Sequence, residues 1–307
     1  MAGSKQEWID AFKHLRLHFS LLLMPVFLFA LSQTPALPLA EYSNTSPHIQ
    51  TGIIVFLILH ILVYPSSNIF NGYYDIDKGS VGGLKNPPPS NKKMLWLANI
   101  LDLTAIGLSL LLKPEFTFLL FAYIIASRLY SYRPIRLKQN PIIGFIVIFI
   151  FQGAITYYLS ITGIVAPQGC IGPHPPEFFS KYAIYAMLAT SFQIGAIYPL
   201  TQIYQHESDL ADGVKTLSYK LGYRGTFIFA GLMFGIATLF YYLHFKETNI
   251  NSFYIFTVAQ IPIITYFVYW ASKVWKDTKY ADYKHTMYMN VIAAAILNLF
   301  FLYLVLT

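Results

Sequence analysis

Two short stretches of the chain concentrate oxygen-bearing side chains at spacings that suit metal and phosphate chemistry. Between Tyr198 and Gly222, residues Gln202, Gln205, Asp209 and Asp212 stand at i, i+3, i+7 and i+10, so a helix running on through them carries one polar stripe, with Glu207 beside it. Asn68, Asn71 and Asp75 repeat the helical spacing, and Asp77 follows two residues on. Five of the fourteen acids, Asp75, Asp77, Glu207, Asp209 and Asp212, fall in these stretches, a density unlike that of a solvated face. Carboxylates that converge repel and take up protons unless cations separate them. Asn71, Asp75, Asp77, Gln205, Glu207 and Asp209 offer only oxygen, a donor set that suits Mg²⁺, which keeps water and bridges to phosphate. A third stretch, Arg128 to Lys138, holds Arg133, Arg136 and Lys138. It reads either as a topology signal or as a clamp for phosphate oxygens, whose geometry guanidinium forks match. Acids for metal, metal for diphosphate and arginines for the remaining oxygens make a site able to weaken the carbon–oxygen bond of an allylic diphosphate. Aromatic walls, with Phe, Tyr and Trp at 17% of the chain, suit the resulting cation.

The elements that must position these residues lie in a membrane. The chain is 56% hydrophobic and 11% charged, against about 25% charged in a soluble globule. Apolar runs at 17 to 34, 49 to 67, 94 to 112, 114 to 131, 141 to 164, 182 to 203, 225 to 244, 253 to 272 and 286 to 306 predict an all-α integral membrane protein of nine spans. It forms a single domain over 1–307, with no room for a sizeable extramembrane domain. Alternate connections hold 18 of the 21 Lys and Arg residues, which sets that side and the N-terminus in the cytoplasm and the C-terminus outside. That sorting accounts for the net charge of +7 without nucleic acid. Both acid clusters then end helices on the cytoplasmic side, four helices apart, which implies two parallel four-helix units plus one helix. No cleavage site follows the first apolar run, so it is expected to be retained. The single cysteine, Cys170, excludes an intramolecular disulfide, and Cys/His pairs at zinc-ligand spacing are absent from the sequence.

Other residues take secondary expectations. Arg16 anchors topology or reaches an anionic ligand. The segment from Lys78 through the glycine and proline runs to Ser90 is a non-helical loop, either a flexible connection or a phosphate cradle. Asp102 lines a cavity or marks a misplaced span boundary. Gly153 and Gly195 mark close helix packing, and Asn290 and Asn298 read as interhelical hydrogen bonds. His174 falls in an outer loop away from the acids, and His206 points off the polar stripe, although it neighbours Glu207 as a base would.

Over nearly its whole length the chain resembles the UbiA superfamily of intramembrane prenyltransferases. The resemblance rests on Asn71-xxx-Asp75, on Tyr130-Ser-Tyr-Arg133-Pro-Ile-Arg136-Leu-Lys138, and on Glu207-Ser-Asp209-xxx-Gly213-Val-Lys215-Thr216-Leu-Ser-Tyr-Lys-Leu-Gly222, in that order. It implies Mg²⁺-dependent transfer of a polyprenyl group from its diphosphate to a lipophilic, commonly aromatic, acceptor, in a bundle open toward lipid. A bacterial cytoplasmic membrane is the expected setting. It also implies that Asp75 and Asp209 are catalytic, that Asn71, Asp75, Asp77, Gln205, Glu207 and Asp209 hold metal, and that Arg133, Arg136, Lys138 and Lys215 contact the diphosphate. Lys78 and Arg16 are further candidates for that contact. The chain departs from the family pattern at Gly72, Gly79 and Gln205, where acids are common; Asp77 is expected to substitute. A membrane terpene cyclase using the same donor site, and a transporter or ion-binding protein, are the other readings. Oligomeric state and acceptor identity have no signature in the sequence.

Overall fold

In hydrocarbon the backbone must satisfy its own polar groups, and a run of apolar side chains does so as a helix. The computed structural model describes residues 2–34, 47–75, 79–165 and 180–307, and these are helical apart from connections and a lone bridge between Val81 and Leu84. In chain order the helices are α1 (Ala2–His14), α2 (Met24–Ser32, preceded by a 3₁₀ turn at Leu17–Leu22), α3 (Ile49–Asp75), α4 (Lys92–Ser109), α5 (Pro114–Ser131) and α6 (Pro141–Ile164). They continue with α7 (Lys181–Gln202), α8 (His206–Ala211), α9 (Leu217–Thr248), α10 (Ile250–Lys276) and α11 (Tyr283–Leu306). Six of these, α3, α6, α7, α9, α10 and α11, are long and apolar enough to cross a membrane, and the pair Lys5–Leu22 and Met24–Ser32, bent by 45°, brings the number to seven when taken as one broken span. The nine expected spans are thus not all matched. Helices α4 and α5 are 18 residues each and carry Lys92, Lys93 and Asp102, and Glu115 and Arg128.

Asp102 is absent from the lining of the cavity described below and is engaged in an ion pair instead. Its carboxylate binds Arg128 across the α4–α5 contact, and Arg128 also donates to Ser66 Oγ of α3 at 3.0 Å and lies 4.0 Å from the Phe70 ring centroid. One ion pair therefore ties three helices together just before the acid-bearing end of α3, and Arg128 is spent on structure.

Helix α2 meets the last helix, α11. Phe29 of α2 stacks on Phe301 of α11 at 4.8 Å and packs against Tyr157 and Tyr241, an aromatic core that joins the two ends of the chain. Asn298 donates to Leu21 O at 3.0 Å, as expected of an interhelical amide. Asn290 does not make such a bond; its Oδ1, like that of Asn298, is buried without a partner.

Helices α3 and α6 each contain a π-turn, at Leu57–Val63 and Phe149–Ile155. In α6 the turn brings Gly153 against α7 so closely that a Cβ there would stand 2.3 Å from Ser191 Cα, and Ser191 Oγ accepts from Ala154 N–H at 2.9 Å. At Gly195 the nearest neighbours of an added Cβ are Phe149 and Phe145 ring atoms, at 3.0 and 3.2 Å, which can shift; backbone cannot. Gly153→Ala is therefore expected to destabilise the fold by about 3 kcal/mol, and Gly195→Ala by less, read as thermal unfolding midpoints of the detergent-purified variants. Equal midpoints for Gly153→Ala and wild type would show that α6 and α7 do not meet this closely.

Candidate functional site

The first cluster is delivered as its spacing predicts, on the last turns of α3. The second is not. Helix α7 stops at Gln202, the chain turns through Ile203 and Tyr204, and α8 begins at His206, so the polar stripe is broken rather than continuous. The break has a physical anchor in His206. Its ring is buried, stacks on Tyr223 at 4.8 Å, and has Nε2 2.9 Å from Ser218 Oγ, which pulls the chain into the bundle before α8 starts. Burial lowers the His206 pKa to about 4, so it is a neutral packing group and not a base poised near neutrality.

Helix α8 ends in a Schellman motif: Val214 N–H donates to Asp209 O at 2.8 Å and Gly213 N–H to Leu210 O at 3.0 Å, with Gly213 at φ 74°. An added Cβ at Gly213 would meet nothing within 4 Å, so Gly213→Ala carries the left-handed backbone cost alone. Its expected effect is about 1 kcal/mol, seen as a small fall in unfolding midpoint.

Despite the break, Asn68, Asn71, Asp75, Gln202, Gln205 and Asp209 line one cavity, together with Arg16 and Lys138. Lys138 Nζ pairs with Asp75, whose carboxylate also lies 3.6 Å from Arg136. Arg136 is 2% exposed and binds Asp212 through both its side chain and its carbonyl; Arg133 reaches the same carboxylate at 3.0 Å and Tyr74 O at 2.8 Å. Asp212 thus orients the two arginines instead of extending a metal-binding stripe. Arg16 and Arg136 are the non-glycine residues with positive φ among those described, at 49° and 44°, and both sit at this charged rim. Such backbone persists only where surroundings over-determine it. Arg16 is held by Gly82 O at 3.0 Å and by Asn68, and Gln205 Nε2 donates to Ser80 O at 3.3 Å, so the glycine-containing loop after α3 lies across the mouth.

Several expected residues fall elsewhere. Glu207 and Lys215 are exposed and do not line the cavity, because α8 turns one face outward and Lys215 follows its end. Asp77, Lys78, Cys170 and His174 lie outside the described residues. At Gly72 an added Cβ would stand 2.9 Å from His14 Nδ1, so α1 packs where the family commonly has an acid. Tyr130, which opens the second motif, and Tyr198 carry no role in the sequence pattern. Their hydroxyls share a hydrogen bond in the cavity wall, and Tyr130 lies within electrostatic range of both Asp75 and Asp209. No spacing signals that pairing, since α5 and α7 bring the two rings together only in the fold.

No three of His, Cys, Asp and Glu gather to hold a metal among the described residues. The cavity instead offers two carboxylates, Asp75 and Asp209, and two amides, Asn71 and Gln205. Asn71 Oδ1 is buried without a hydrogen-bond partner, as befits an oxygen awaiting a cation. This set fits Mg²⁺, which needs few protein oxygens and completes its shell with water and phosphate.

The fold and site define an all-helical membrane protein with an acidic and basic rim around an interior cavity lined by apolar and uncharged polar side chains. The UbiA prenyltransferase family profile matches residues 22–292, and the chain belongs to that family. Among solved structures it is similar to a UbiA homologue from Archaeoglobus fulgidus bound to GPP and Mg²⁺, at 16% identity and a TM-score of 0.62 over 97% of this chain and 100% of that one. The same homologue bound to DMAPP and Mg²⁺ matches at 17% identity and 0.61, over 96% of this chain and 99% of that one. A structure concerned with digeranylgeranylglyceryl phosphate synthase in membranes matches at 16% identity and 0.60, over 98% of this chain and 100% of that one. Comparison of the sequence with curated proteins returns no match.

Proposed function

We propose that this protein transfers a prenyl group from a polyprenyl diphosphate to a lipophilic acceptor within the bilayer, with Mg²⁺ as cofactor. The observation that carries the reading is the convergence of Asn71 and Asp75 with Gln205 and Asp209 on one cavity rimmed by Arg16 and Lys138, in a chain of the UbiA family. Relatives of the same fold bind GPP or DMAPP together with Mg²⁺. Bound Mg²⁺ would be held by Asp75, Asp209, Asn71 and Gln205 and would neutralise charge on the departing diphosphate. Lys138, Arg136 and Arg16 supply cations for the remaining oxygens, with Arg133 at the outer edge. The carbon–oxygen bond breaks with its electron pair leaving on diphosphate, the allylic carbon bonds to the acceptor, and the acceptor gives up a proton. Tyr130, Tyr198 and the apolar wall at Ile148, Phe151 and Ile197 exclude water from the cation.

In this reading the chain is one domain over 1–307. Its α4 and α5 complete nine spans, with Asp102 and Arg128 paired between them. The motif ends of α3, α5 and α7 face the cytoplasm, with the N-terminus inside and the C-terminus outside.

The test is release of diphosphate from farnesyl, geranylgeranyl and longer polyprenyl diphosphates by detergent-purified protein, with and without Mg²⁺ and with lipid extract as acceptor source. Mg²⁺-dependent release with donor and acceptor carbon in one product is expected. Products of donor carbon alone would make the protein a cyclase, and no release with any donor would overturn the enzyme reading.

A further inference from the structure

The cavity changes character with depth. Its charged side chains, Arg16, Asp75, Lys138 and Asp209, sit at the motif ends of their elements. Deeper, the walls carry Tyr64, Tyr123, Gln152, Gln193 and Asn290, which are polar and uncharged. At 1.5 Å per residue, Tyr64 lies ~16 Å along α3 from Asp75, Gln193 ~14 Å along α7 from Gln202, and Asn290 ~10 Å along α11 from Tyr283. Gln193 is 3% exposed, and its Oε1 accepts from Tyr241 Oη at 2.6 Å, which leaves the donor end, Nε2, for the cavity. Asn290 is 5% exposed, and its Oδ1 is a buried acceptor with no partner. One donor and one acceptor are thus held ready well inside the bundle.

A buried amide oxygen left unbonded costs about 1–3 kcal/mol, so its partner is expected to arrive with a ligand. The prenyl tail of the donor offers no hydrogen bond, and the diphosphate belongs to the charged mouth. The remaining occupant is the acceptor. Among the described residues that line the cavity, the cations are Arg16 and Lys138, both at the mouth. A carboxylate placed beside Gln193 would be buried without a counter-charge, which is far costlier than a buried hydroxyl or carbonyl meeting amides. Gln193 lies ~7.5 Å along α7 from Tyr198, at the level of the Tyr130–Tyr198 pair. A ring with polar groups at opposite ends covers that reach.

Resting on the prenyl-transfer reading above, we propose that the acceptor is an uncharged lipophile bearing hydroxyl or carbonyl groups, whose inner polar end hydrogen-bonds Gln193 and Asn290, and that carboxylate acceptors are excluded. Specificity here comes from the absence of a counter-ion as much as from the amides.

The test uses the full chain in detergent, loaded with Mg²⁺ and geranyl diphosphate. It is titrated with matched pairs of probes: para-hydroxybenzyl alcohol against para-hydroxybenzoate, and hydroxymethyl naphthols against their carboxyl analogues. The readout is the rise in unfolding midpoint, with product mass alongside. Each neutral probe is expected to act at a concentration at least about tenfold below that of its carboxylate, a difference of about 1.4 kcal/mol. Gln193→Leu and Asn290→Leu should each lose at least tenfold for the neutral probes while stabilisation by geranyl diphosphate with Mg²⁺ persists. Asn290→Leu breaks no hydrogen bond of the resting fold, so it remains informative if Gln193→Leu fails to fold. Gln193→Arg should reverse the preference toward carboxylates. Carboxylates acting as well as their neutral partners, leucine variants that respond like wild type, or no response to any neutral probe while the donor still stabilises would each overturn the proposal. Absence of stabilisation by geranyl diphosphate and Mg²⁺ would overturn the prenyl-transfer reading, and this proposal with it.

Discussion

Asp75→Asn and Asp209→Asn should each cut Mg²⁺-dependent diphosphate release by about 100- to 1000-fold, the scale seen when one group that stabilises developing charge is removed. The two variants are expected to fail differently. Asp209 lines the cavity from α8, across from Asp75, so its loss should raise the Mg²⁺ concentration needed for release. Asp75 is also the counter-ion of Lys138 and a near neighbour of Arg136. Its replacement by Asn leaves those cations facing the cavity with one negative charge fewer. Metal-free binding of a diphosphate donor should therefore tighten in Asp75→Asn while turnover collapses, and in Asp209→Asn metal-free binding should stay near that of wild type. A Mg²⁺ titration of release, paired with donor binding in EDTA, separates the two. Wild-type release in either variant would remove that residue from the site, and identical EDTA binding in Asp75→Asn and wild type would mean that the Lys138 pair does not face the donor.

The placement of the chemistry was legible because helical spacing is local. Asn68, Asn71 and Asp75 share a face of α3 for the reason that i, i+3 and i+7 always do, and the gathering of acids in two stretches pointed to one site before any contact was known. What failed to read was anything set by contact between distant segments. The stripe from Gln202 to Asp212 is broken because His206 finds Ser218 and Tyr223, which no periodicity announces. Asp212 looks like a fourth stripe residue, yet the turn at Gly213 hands it to Arg133 and Arg136. Glu207 lies beside Asp209 in sequence and outside the cavity in space. Asn290 and Asn298 were indistinguishable as amides on one apolar helix, and only packing separates the residue that bridges to Leu21 from the one that faces the cavity. Apolar runs likewise predicted spans at α4 and α5, which are not among the helices long and apolar enough to cross; there Asp102 and Arg128 interrupt the apolar run and are matched to each other across a helix contact.

That contact should make Asp102→Ala one of the most damaging single changes outside the site, at about 3–5 kcal/mol, because it leaves Arg128 charged, largely buried and without its carboxylate. The side chains of the pair are 18% and 11% exposed, and Arg128 has further partners in Ser66 Oγ and the Phe70 ring. Those contacts hold the guanidinium in place when the acid is gone, so it cannot relax into solvent. Replacing both members, as in Asp102→Leu with Arg128→Met, removes the uncompensated charge and should recover most of the loss. Recovery should stop short of wild type by the value of the Ser66 hydrogen bond and the Phe70 contact, about 1–2 kcal/mol together. Since Ser66 precedes Asn68, Asn71 and Asp75 by less than three helical turns, the pair also sets the angle at which α3 delivers its acids. The double variant should therefore refold to near wild-type stability and still release diphosphate with a raised Mg²⁺ requirement. Thermal unfolding of the two single variants and the double variant, with a Mg²⁺ titration on the double, measures both effects. A single Asp102→Ala variant as stable as wild type would show that the pair is solvated in the membrane-embedded protein. A double variant with an unchanged Mg²⁺ requirement would confine its role to stability.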